Sequence, residues 1–217
     1  MISDSLTSER VRLPDGTYAC RYPWRGETVL VRDGAMDAMR CIAALTDSGA
    51  TGEGRRDAFL AAFLPDVADA ACACDWDAEA FAEFIDSAVW DVLGLDLRGT
   101  RAHEDPVWDL EEDAARIRAS FRQAYGIDWD EERGRISFAE FIALVGGCPE
   151  DTPLGRAIHY RTRSTRPKPT KHNRREVERW DALHRAYALH CTGGSHGASG
   201  GDGAMRDVFS ALKRAAR

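Results

Sequence analysis

Residues 126–145, GIDWDEERGRISFAEFIALV, fit two different structures, and each structure would imply a different kind of protein. Its first half is acidic and its second half is apolar at helical spacing. Gly134, Ile136 and Glu140 match the outline of a calcium-binding EF-hand loop, but the same letters also describe the start of a packed helix. The two interpretations predict different proteins, a calcium-dependent switch or a helical interaction protein.

The calcium interpretation covers the loop 128–140, and the ligand spacing fails in both reading frames. An EF-hand loop needs oxygen ligands at positions 1, 3 and 5, glycine at position 6 and a bidentate glutamate at position 12. With Glu140 at position 12, Trp129 and Arg133 fall at positions 1 and 5, and neither side chain offers oxygen. With Asp128 at position 1, Arg133 takes the glycine position instead. A calcium-binding EF-hand-like regulatory protein is therefore an alternative function, not the preferred one.

Helix-start chemistry explains the same residues better. Ser137 and Glu140 have the spacing of a capping box, in which each side chain bonds the other residue's amide. Ile136 before the cap and Phe141 after it form the pattern of a hydrophobic staple. Apolar residues continue at helical spacing to Val145, and two glycines follow. This pattern predicts a packed helix approached by a solvated acidic loop.

The composition is typical of a globular protein without a membrane span or a disulfide framework. The chain has 217 residues, which is long enough to bury a sizeable core. No apolar run is long enough to span a bilayer, and the start MISDSLTSERVRL lacks the regions of a signal peptide. The six cysteines show no regular spacing, so we expect free, mostly buried thiols in a reducing cytoplasm.

Charge is unevenly distributed along the chain. Residues 1–150 carry 30 acidic and 15 basic residues, whereas residues 151–217 carry 6 acidic and 14 basic residues. The basic part contains the proline-bearing segment 161–175, RTRSTRPKPTKHNRR, which we expect to be an extended, mobile connector. Nucleic-acid binding through 161–175 is an alternative function. The segment has few aromatic residues and the whole chain is acidic, so a connector that meets acidic partners is preferred.

The spacing of apolar residues and turn residues predicts a mainly α protein. We expect a compact multi-helix domain with a small N-terminal β-hairpin or meander over residues 1–165. Residues 166–217 are predicted to form a basic linker and two C-terminal helices separated by a Gly-rich linker. Besides the helix after Ser137, helices are predicted over 35–45 with Asp33 as the cap, over 58–64 before Pro65, and from the cap Asp77 to Gly94 with an apolar stripe formed by Phe81, Phe84, Ile85, Ala88 and Val92. Further helices are predicted from Asp105-Pro106 to Gly126, after the cap Thr152-Pro153, from a capping box at Asn173 and Glu176 through Tyr187, and around 208–212.

Four stretches of the chain carry a resemblance to a known family. Residues 109–128 read DLEEDAARIRASFRQAYGID, and residues 138–144 add an aromatic-rich helix with the pattern Phe-x-x-Phe-x-x-Leu. A GCPEDT turn follows at 147–152, and a Tyr-Arg-Thr ending stands at 160–162. On these residues the chain resembles the bacteriophage gp-fifteen family, and the short β element with Tyr22-Pro23 followed by helices is similar too.

The resemblance covers residues 10–165 and is densest over 105–163. It departs in the loop 128–135, in the cysteine-rich segment 72–74 and in the C-terminal extension, so nothing is carried over to those parts. Members are small proteins of tailed phages and prophages, commonly encoded beside tail genes ahead of the tape-measure protein. The resemblance therefore implies a protein of bacteriophage tail morphogenesis.

The resemblance also implies partners and a place of action. The expected function is a non-enzymatic tail assembly chaperone that binds the tape-measure protein, and other tail assembly proteins are further expected partners. We expect it to act in the bacterial host cytoplasm during phage assembly, without a membrane or nucleic-acid partner, and self-association stays open. The family has no established catalytic residues, so we expect none here, and we also expect no cofactor-binding or metal-binding residues.

One further pattern near the C-terminus raises the question of a metal site. His184, His190, Cys191 and His196 are all potential zinc ligands. Their spacing fits no standard zinc motif, and most of them flank or enter a glycine-rich linker. The sequence therefore does not predict a metal site there.

Overall fold

A computed structural model describes residues 9–99 and 107–190 of the chain. Within these residues it contains nine α-helices and one small antiparallel sheet near the N-terminus. The predicted mainly α fold with an N-terminal β element is confirmed. Among the described helices, none has the length and apolar character needed to cross a membrane.

The described residues divide into two compact units. The first unit contains residues 9–99 and 133–142, and the second contains 107–132 and 143–190. Among the described residues, each unit is therefore built from two separate stretches of the chain.

The sheet of the first unit is the meander that the turn residues predicted. Its strands are β1 (Val11–Arg12), β2 (Tyr18–Trp24) and β3 (Glu27–Arg32), and they pair antiparallel in the order β1-β2-β3. The β2–β3 connection is the two-residue turn Arg25-Gly26, in which φ is 47° and 95°. Positive φ at both central residues is the conformation that matches the twist of a tight hairpin.

Four helices complete the first unit around an apolar core. Phe59, Phe63 and Phe84 are fully buried in this core, together with Val31 of β3. The helices are α1 (Ala35–Thr46), α2 (Gly52–Phe63), α3 (Val67–Cys72) and α4 (Ala78–Leu93).

The predicted cap of α1 at Asp33 is wrong. Gly34, which has no side chain that could cap the helix, occupies the N-cap position. The Asp33 carboxylate instead accepts two hydrogen bonds of 2.8 Å from the guanidinium of Arg10. The Asp33 backbone oxygen accepts the amide of Phe138 at 2.7 Å. Asp33 therefore ties the start of α1 to residues distant in sequence, which a local cap pattern does not reveal.

The helix predicted over 58–64 begins earlier than the sequence indicated. It is α2 and starts at Gly52, because the Thr51 hydroxyl accepts the amide of Gly54 at 3.1 Å and caps a glycine-rich first turn. The short helix α3 was not predicted, although Asp66 caps it by accepting the amides of Ala68 and Asp69. Glycine and proline beside these caps concealed both helix starts.

The predicted limits of α4 are confirmed. The Asp77 carboxylate accepts the amide of Ala80 at 2.7 Å, and Gly94 ends the helix in the left-handed region with φ of 65°. Most of the predicted apolar stripe is buried, including Phe84 and Ile85, whereas Phe81 is partly exposed.

The remaining helices lie wholly or partly in the second unit. Residues 138–142 of α7 group with the first unit and its later residues with the second. The helices are α5 (Ala114–Tyr125), α6 (Trp129–Glu132), α7 (Phe138–Gly146), α8 (Pro153–Arg161) and α9 (Arg174–Tyr187), with a short 3-10 helix at Arg163–Thr165.

Two helix starts in the second unit differ from the prediction. Asp105-Pro106 lies outside the described residues, and α5 begins only at Ala114 because the preceding residues form turns. The Asn173 side chain does not cap α9. Its amide oxygen accepts the amide of Thr170 at 2.7 Å, so it stabilises the connector instead of the helix.

Other predicted limits in this unit are confirmed. Gly126 ends α5 with φ of 69°, and the Thr152 hydroxyl caps α8 by accepting the amide of Gly155 at 3.1 Å. The terminal helix predicted around 208–212 lies outside the described residues.

Candidate interaction surfaces

The acidic half of the segment 126–145 folds into the short helix α6 and the turns beside it. Trp129 is 8% exposed and packs edge-on against Phe121, with 6.1 Å between ring centroids. The Asp128 carboxylate pairs with Arg122 and accepts the amide of Asp130 at 3.1 Å. The bond from Asp130, followed by the Arg122 guanidinium, holds the pKa of Asp128 below its ordinary value. Asp128 therefore already has partners within its own unit, and this arrangement does not favour the calcium alternative.

The apolar half of the segment is the predicted helix entry. The Ser137 hydroxyl accepts the Glu140 amide at 3.1 Å, which confirms the cap. The return bond of the capping box is not formed between these two described residues, and Glu140 is exposed. Ile136 and Phe141, the two members of the predicted staple, are both buried. Phe141 also stacks on Phe138 with 6.1 Å between ring centroids, so this stretch serves packing.

A buried ion pair joins distant parts of the second unit. Asp113 at the start of α5 is 0% exposed, and its partner Arg161 at the end of α8 is 5% exposed. Arg161 Nη2 donates to Asp113 at 3.1 Å, and Arg116 donates to the same carboxylate at 2.6 Å. Arg161 also donates to the backbone oxygens of Tyr187 at 2.6 Å and Val107 at 3.1 Å. The pair therefore fastens the ends of α5, α8 and α9, and we assign it a structural role.

The electrostatics of this pair keep the carboxylate charged. Burial, the largest single effect on Asp113, would raise its pKa. The hydrogen bonds from Arg161, the Asp109 amide and Arg116 together outweigh burial and lower the pKa below its ordinary value of 3.8. Asp113 is thus a buried carboxylate that stays charged because these donors stabilise its charge.

Aromatic packing joins α9 to α8 in the same unit. The rings of Tyr160 and Tyr187 stack with 5.6 Å between centroids, and Trp180 is buried. His184 stacks on Trp180 at 4.9 Å, and its Nδ1 lies 2.6 Å from the Tyr160 backbone oxygen. These contacts give α9 a packed face.

The sequence raised a metal site from four potential ligands, and the structure describes two of them. His184 has the packing contacts just given, and the ring of His190 lies 3.2 Å from Glu112. Cys191 and His196 lie outside the described residues. Within residues 9–99 and 107–190, no group of three or more His, Cys, Asp or Glu side chains is arranged to hold a metal ion.

A solvent-open cleft of about 460 Å³ lies on the surface of the first unit along α1 and α2. Arg32, Arg40 and Asp47 provide its polar edge. Arg32 is fixed by Asp15 at 2.7 Å and by the Ala61 backbone oxygen at 3.0 Å. The rest of the lining consists of alanines: Ala43, Ala44, Ala58, Ala61 and Ala62. Alanine side chains end at Cβ, so the cleft has room for a bulkier apolar side chain from a partner.

A second feature of the first unit is the turn between α3 and α4. Trp76 on this turn is 71% exposed, more than any other large hydrophobic residue among those described. Asp75 and Trp76 have φ of 54° and 56°, in the left-handed region that non-glycine residues rarely adopt. The Trp76 amide donates to the Ala71 oxygen at 2.9 Å, and Asp77 then caps α4. The amides of Asp75 and Asp77 also donate to backbone oxygens, each at 2.9 Å, so the indole is presented from a hydrogen-bonded turn.

Comparison with known proteins identifies the family of this chain. The family model described as Bacteriophage Gp15 protein matches residues 40–189, which is more than half of the chain. The chain belongs to this bacteriophage family. No curated protein matches it, and no solved structure matches it.

The range matched by the family model differs at both ends from the range of the sequence resemblance. It starts later than the resemblance seen over 10–165, so it leaves out the β-meander. It ends later, so it includes α9, which the sequence resemblance had left outside. The alanine cleft, Trp76 and the pair Asp113–Arg161 all lie within the match, except for Arg32 at the edge of the cleft.

Proposed function

We propose that this bacteriophage protein is a tail assembly chaperone that binds the tape-measure protein. The observation that carries the proposal is the alanine-lined cleft along α1 and α2, because it lies within the family region and is open to solvent. The resemblance to proteins encoded beside tail genes supplies the choice of partner.

The cleft suits an amphipathic helix. Recognition of such a helix requires a groove that receives apolar side chains spaced three or four residues apart. Ala43, Ala58 and Ala61 are exposed, so a leucine-sized or larger side chain can enter between them. Full burial of such a side chain would contribute about 1.5–3 kcal/mol, and partial burial in this open cleft contributes a fraction of that value. Arg40 at the edge pairs with Asp37 at 2.8 Å and is largely exposed, so it is placed to meet an acidic residue on the polar side of the helix as well.

The proposed role explains other properties of the chain. A chaperone for a long helical partner must itself stay soluble, and the formal net charge of −7 helps to prevent aggregation. The role is non-enzymatic, takes place in the bacterial host cytoplasm and needs no cofactor. Other tail assembly proteins are further proposed partners.

Binding to overlapping fragments of the tape-measure protein of the same phage tests the proposal. We expect the purified full chain to bind at least one fragment in isothermal titration calorimetry. Ala58→Arg and Ala61→Arg place a long charged side chain in the cleft, and each is expected to weaken binding at least about tenfold. Both positions are exposed, so both variants are expected to fold.

Ala182→Arg is the matched control, because Ala182 is an exposed alanine on α9 and adds the same side chain. The control variant is expected to bind as the unmodified chain does. If no fragment binds the unmodified chain, the chaperone proposal is wrong. If the fragments bind and both cleft variants bind normally, the cleft is not the binding surface.

A further inference from the structure

We propose that copies of this chain associate head to tail, with the Trp76 turn of one copy receiving the exposed lysines Lys168 and Lys171 from the basic segment 161–175 of a second copy. This inference goes beyond the proposed chaperone function and does not depend on it. Its basis is that two exposed and chemically complementary surfaces occur in one chain.

The first surface combines an exposed aromatic ring with a strong acidic field. Residues 57–97 contain ten acidic residues and no lysine or arginine. Four exposed acidic residues of this stretch lie near Trp76: Asp66 caps α3, Asp69 is on α3, and Asp75 and Asp77 flank Trp76 in the turn. The nearby basic residue Arg25 is already paired with Glu83 at 3.0 Å. An exposed indole among carboxylates is suited to a cationic ligand, because cations are attracted to the face of tryptophan.

The second surface has the opposite charge. Residues 152–175 contain eight basic residues and no acidic residue. Arg161 is buried in its pair with Asp113, and Arg166 and Arg174 pair with Asp181 and Glu178. The charge offered to a second copy is therefore that of the exposed lysines. Within this stretch, Lys168, Pro169 and Lys171 are exposed, and residues 167–170 form neither helix nor strand. Pro167 and Pro169 restrict the backbone to extended conformations. Extended proline-containing segments are bound by aromatic surfaces at low entropic cost, so a tryptophan flanked by acidic residues suits this segment.

The exposure of both surfaces is the reason for choosing a second copy as the occupant. Trp76 is 71% exposed, and Lys168 and Lys171 are exposed in the same chain. A contact between different surfaces of two identical chains is heterologous, so each copy keeps one unoccupied surface. Repetition of this contact produces either a closed ring or an open chain of copies.

Sedimentation velocity of the full chain over a range of concentrations tests the inference. We expect the mean mass to rise with concentration in about 50 mM salt and to fall towards the monomer in about 0.5 M salt, since salt screens the charges. Trp76→Ala is expected to weaken association at least about thirtyfold, the loss typical of a central tryptophan in an interface. The double variant Lys168→Glu/Lys171→Glu is expected to be monomeric.

Mixing the two variants separates this contact from general electrostatic attraction. The Trp76→Ala chain keeps the basic segment, and the lysine double variant keeps the Trp76 turn. Their equimolar mixture should therefore form a complex of two chains, although neither variant associates alone. Arg12→Glu/Arg21→Glu is the control, because both arginines are exposed in the sheet and the change in net charge is the same. It should associate as the unmodified chain does.

Three results would each overturn the inference. The first is an unmodified chain that stays monomeric at every concentration and salt tested, as it would if each chain covered its own Trp76. The second is undiminished association of Trp76→Ala or of the lysine double variant. The third is a mixture of the two variants that stays monomeric.

Discussion

At the scale of single residues, the pair Asp113–Arg161 has the largest predicted effect on stability. Both side chains are almost completely buried. The carboxylate accepts hydrogen bonds from Arg161, Arg116 and the Asp109 amide. Removal of Arg161 leaves the carboxylate with the Arg116 guanidinium and the Asp109 amide as donors, so a buried charge loses its best-buried counter-charge in a poorly solvated place. The pair therefore makes the second unit sensitive to small chemical changes at these two positions.

Arg161→Met is expected to lower the free energy of unfolding by about 3–5 kcal/mol, because Asp113 loses its main donor while it remains buried. Urea denaturation followed by circular dichroism measures this change. Arg174→Ala removes an ion pair with Glu178 that lies on the surface, and no measurable loss is expected there. Equal stability of the Arg161→Met variant and the unmodified chain would contradict the structural role of the pair.

The lowered pKa of Asp113 also predicts a dependence of stability on pH. A carboxyl group whose pKa is lower in the folded state contributes stability above its unfolded pKa and loses it as pH falls through the folded value. The free energy of unfolding should therefore decline as pH falls below about 4, near the ordinary value of 3.8. Asp113→Asn should remove this component of the decline, as urea titrations at several pH values will show. An unchanged pH profile in that variant would count against a charged Asp113.

At the scale of secondary-structure elements, the segment 126–145 is a short helix followed by a capped, packed helix. Asp128 is paired with Arg122, and Trp129 is buried. Calcium is therefore expected to produce no heat in calorimetric titration and no shift in melting temperature. A calcium-dependent rise in melting temperature that disappears in Glu140→Ala would instead support the EF-hand alternative.

A close backbone approach at the start of α8 gives a second prediction at this scale. A Cβ atom added at Gly155 would lie 2.0 Å from the Pro149 backbone oxygen, in the turn that resembles the family motif. Gly155→Ala should therefore lower the free energy of unfolding by about 3 kcal/mol, the upper part of the range for overpacking. Gly146→Ala in α7 is the control, since nothing lies within 4 Å of its added Cβ. A Gly155→Ala variant as stable as this control would show that the turn moves freely.

The elements that the sequence predicted well depend on contacts within four residues. The caps at Asp77 and Thr152 and the ends at Gly94 and Gly126 are of this kind, because their donors and acceptors follow directly in the chain. Asp33 shows the opposite case. Its carboxylate binds Arg10, which lies 23 residues away, and it does not form the predicted cap.

The candidate surfaces are harder to predict from the sequence than the helices are, because folding brings together residues that are distant in the chain. Asp113 and Arg161 are 48 residues apart, and nothing in their local sequence distinguishes them from surface charges. The alanine cleft arises from the packing of α1 and α2, and the start of α2 was concealed by glycines. Trp76 follows Asp75 in an acidic run, but only the fold shows that its ring is exposed. The basic segment 161–175 was evident from composition, whereas its proposed partner was not.

At the scale of the whole molecule, the uneven charge distribution has two proposed uses. In the proposed association, the acidic part provides the field around Trp76, and the basic segment provides a cation-rich ligand for another copy. The cleft along α1 and α2 differs from these two charged surfaces, since alanines line most of it. Under the two proposals together, each copy binds the tape-measure protein through the cleft and neighbouring copies through the other two surfaces, so that copies line up along this partner.

Immunoprecipitation of this protein from host cells in mid-infection, followed by mass spectrometry, tests the proposed function most directly. The tape-measure protein of the same phage is expected among the most abundant co-precipitated proteins. Phage that encode Ala61→Arg should give at least about tenfold less of it, and phage that encode Ala182→Arg should give the same amount as the unmodified phage. A precipitate from unmodified phage that contains this protein without the tape-measure protein would contradict the tail assembly chaperone.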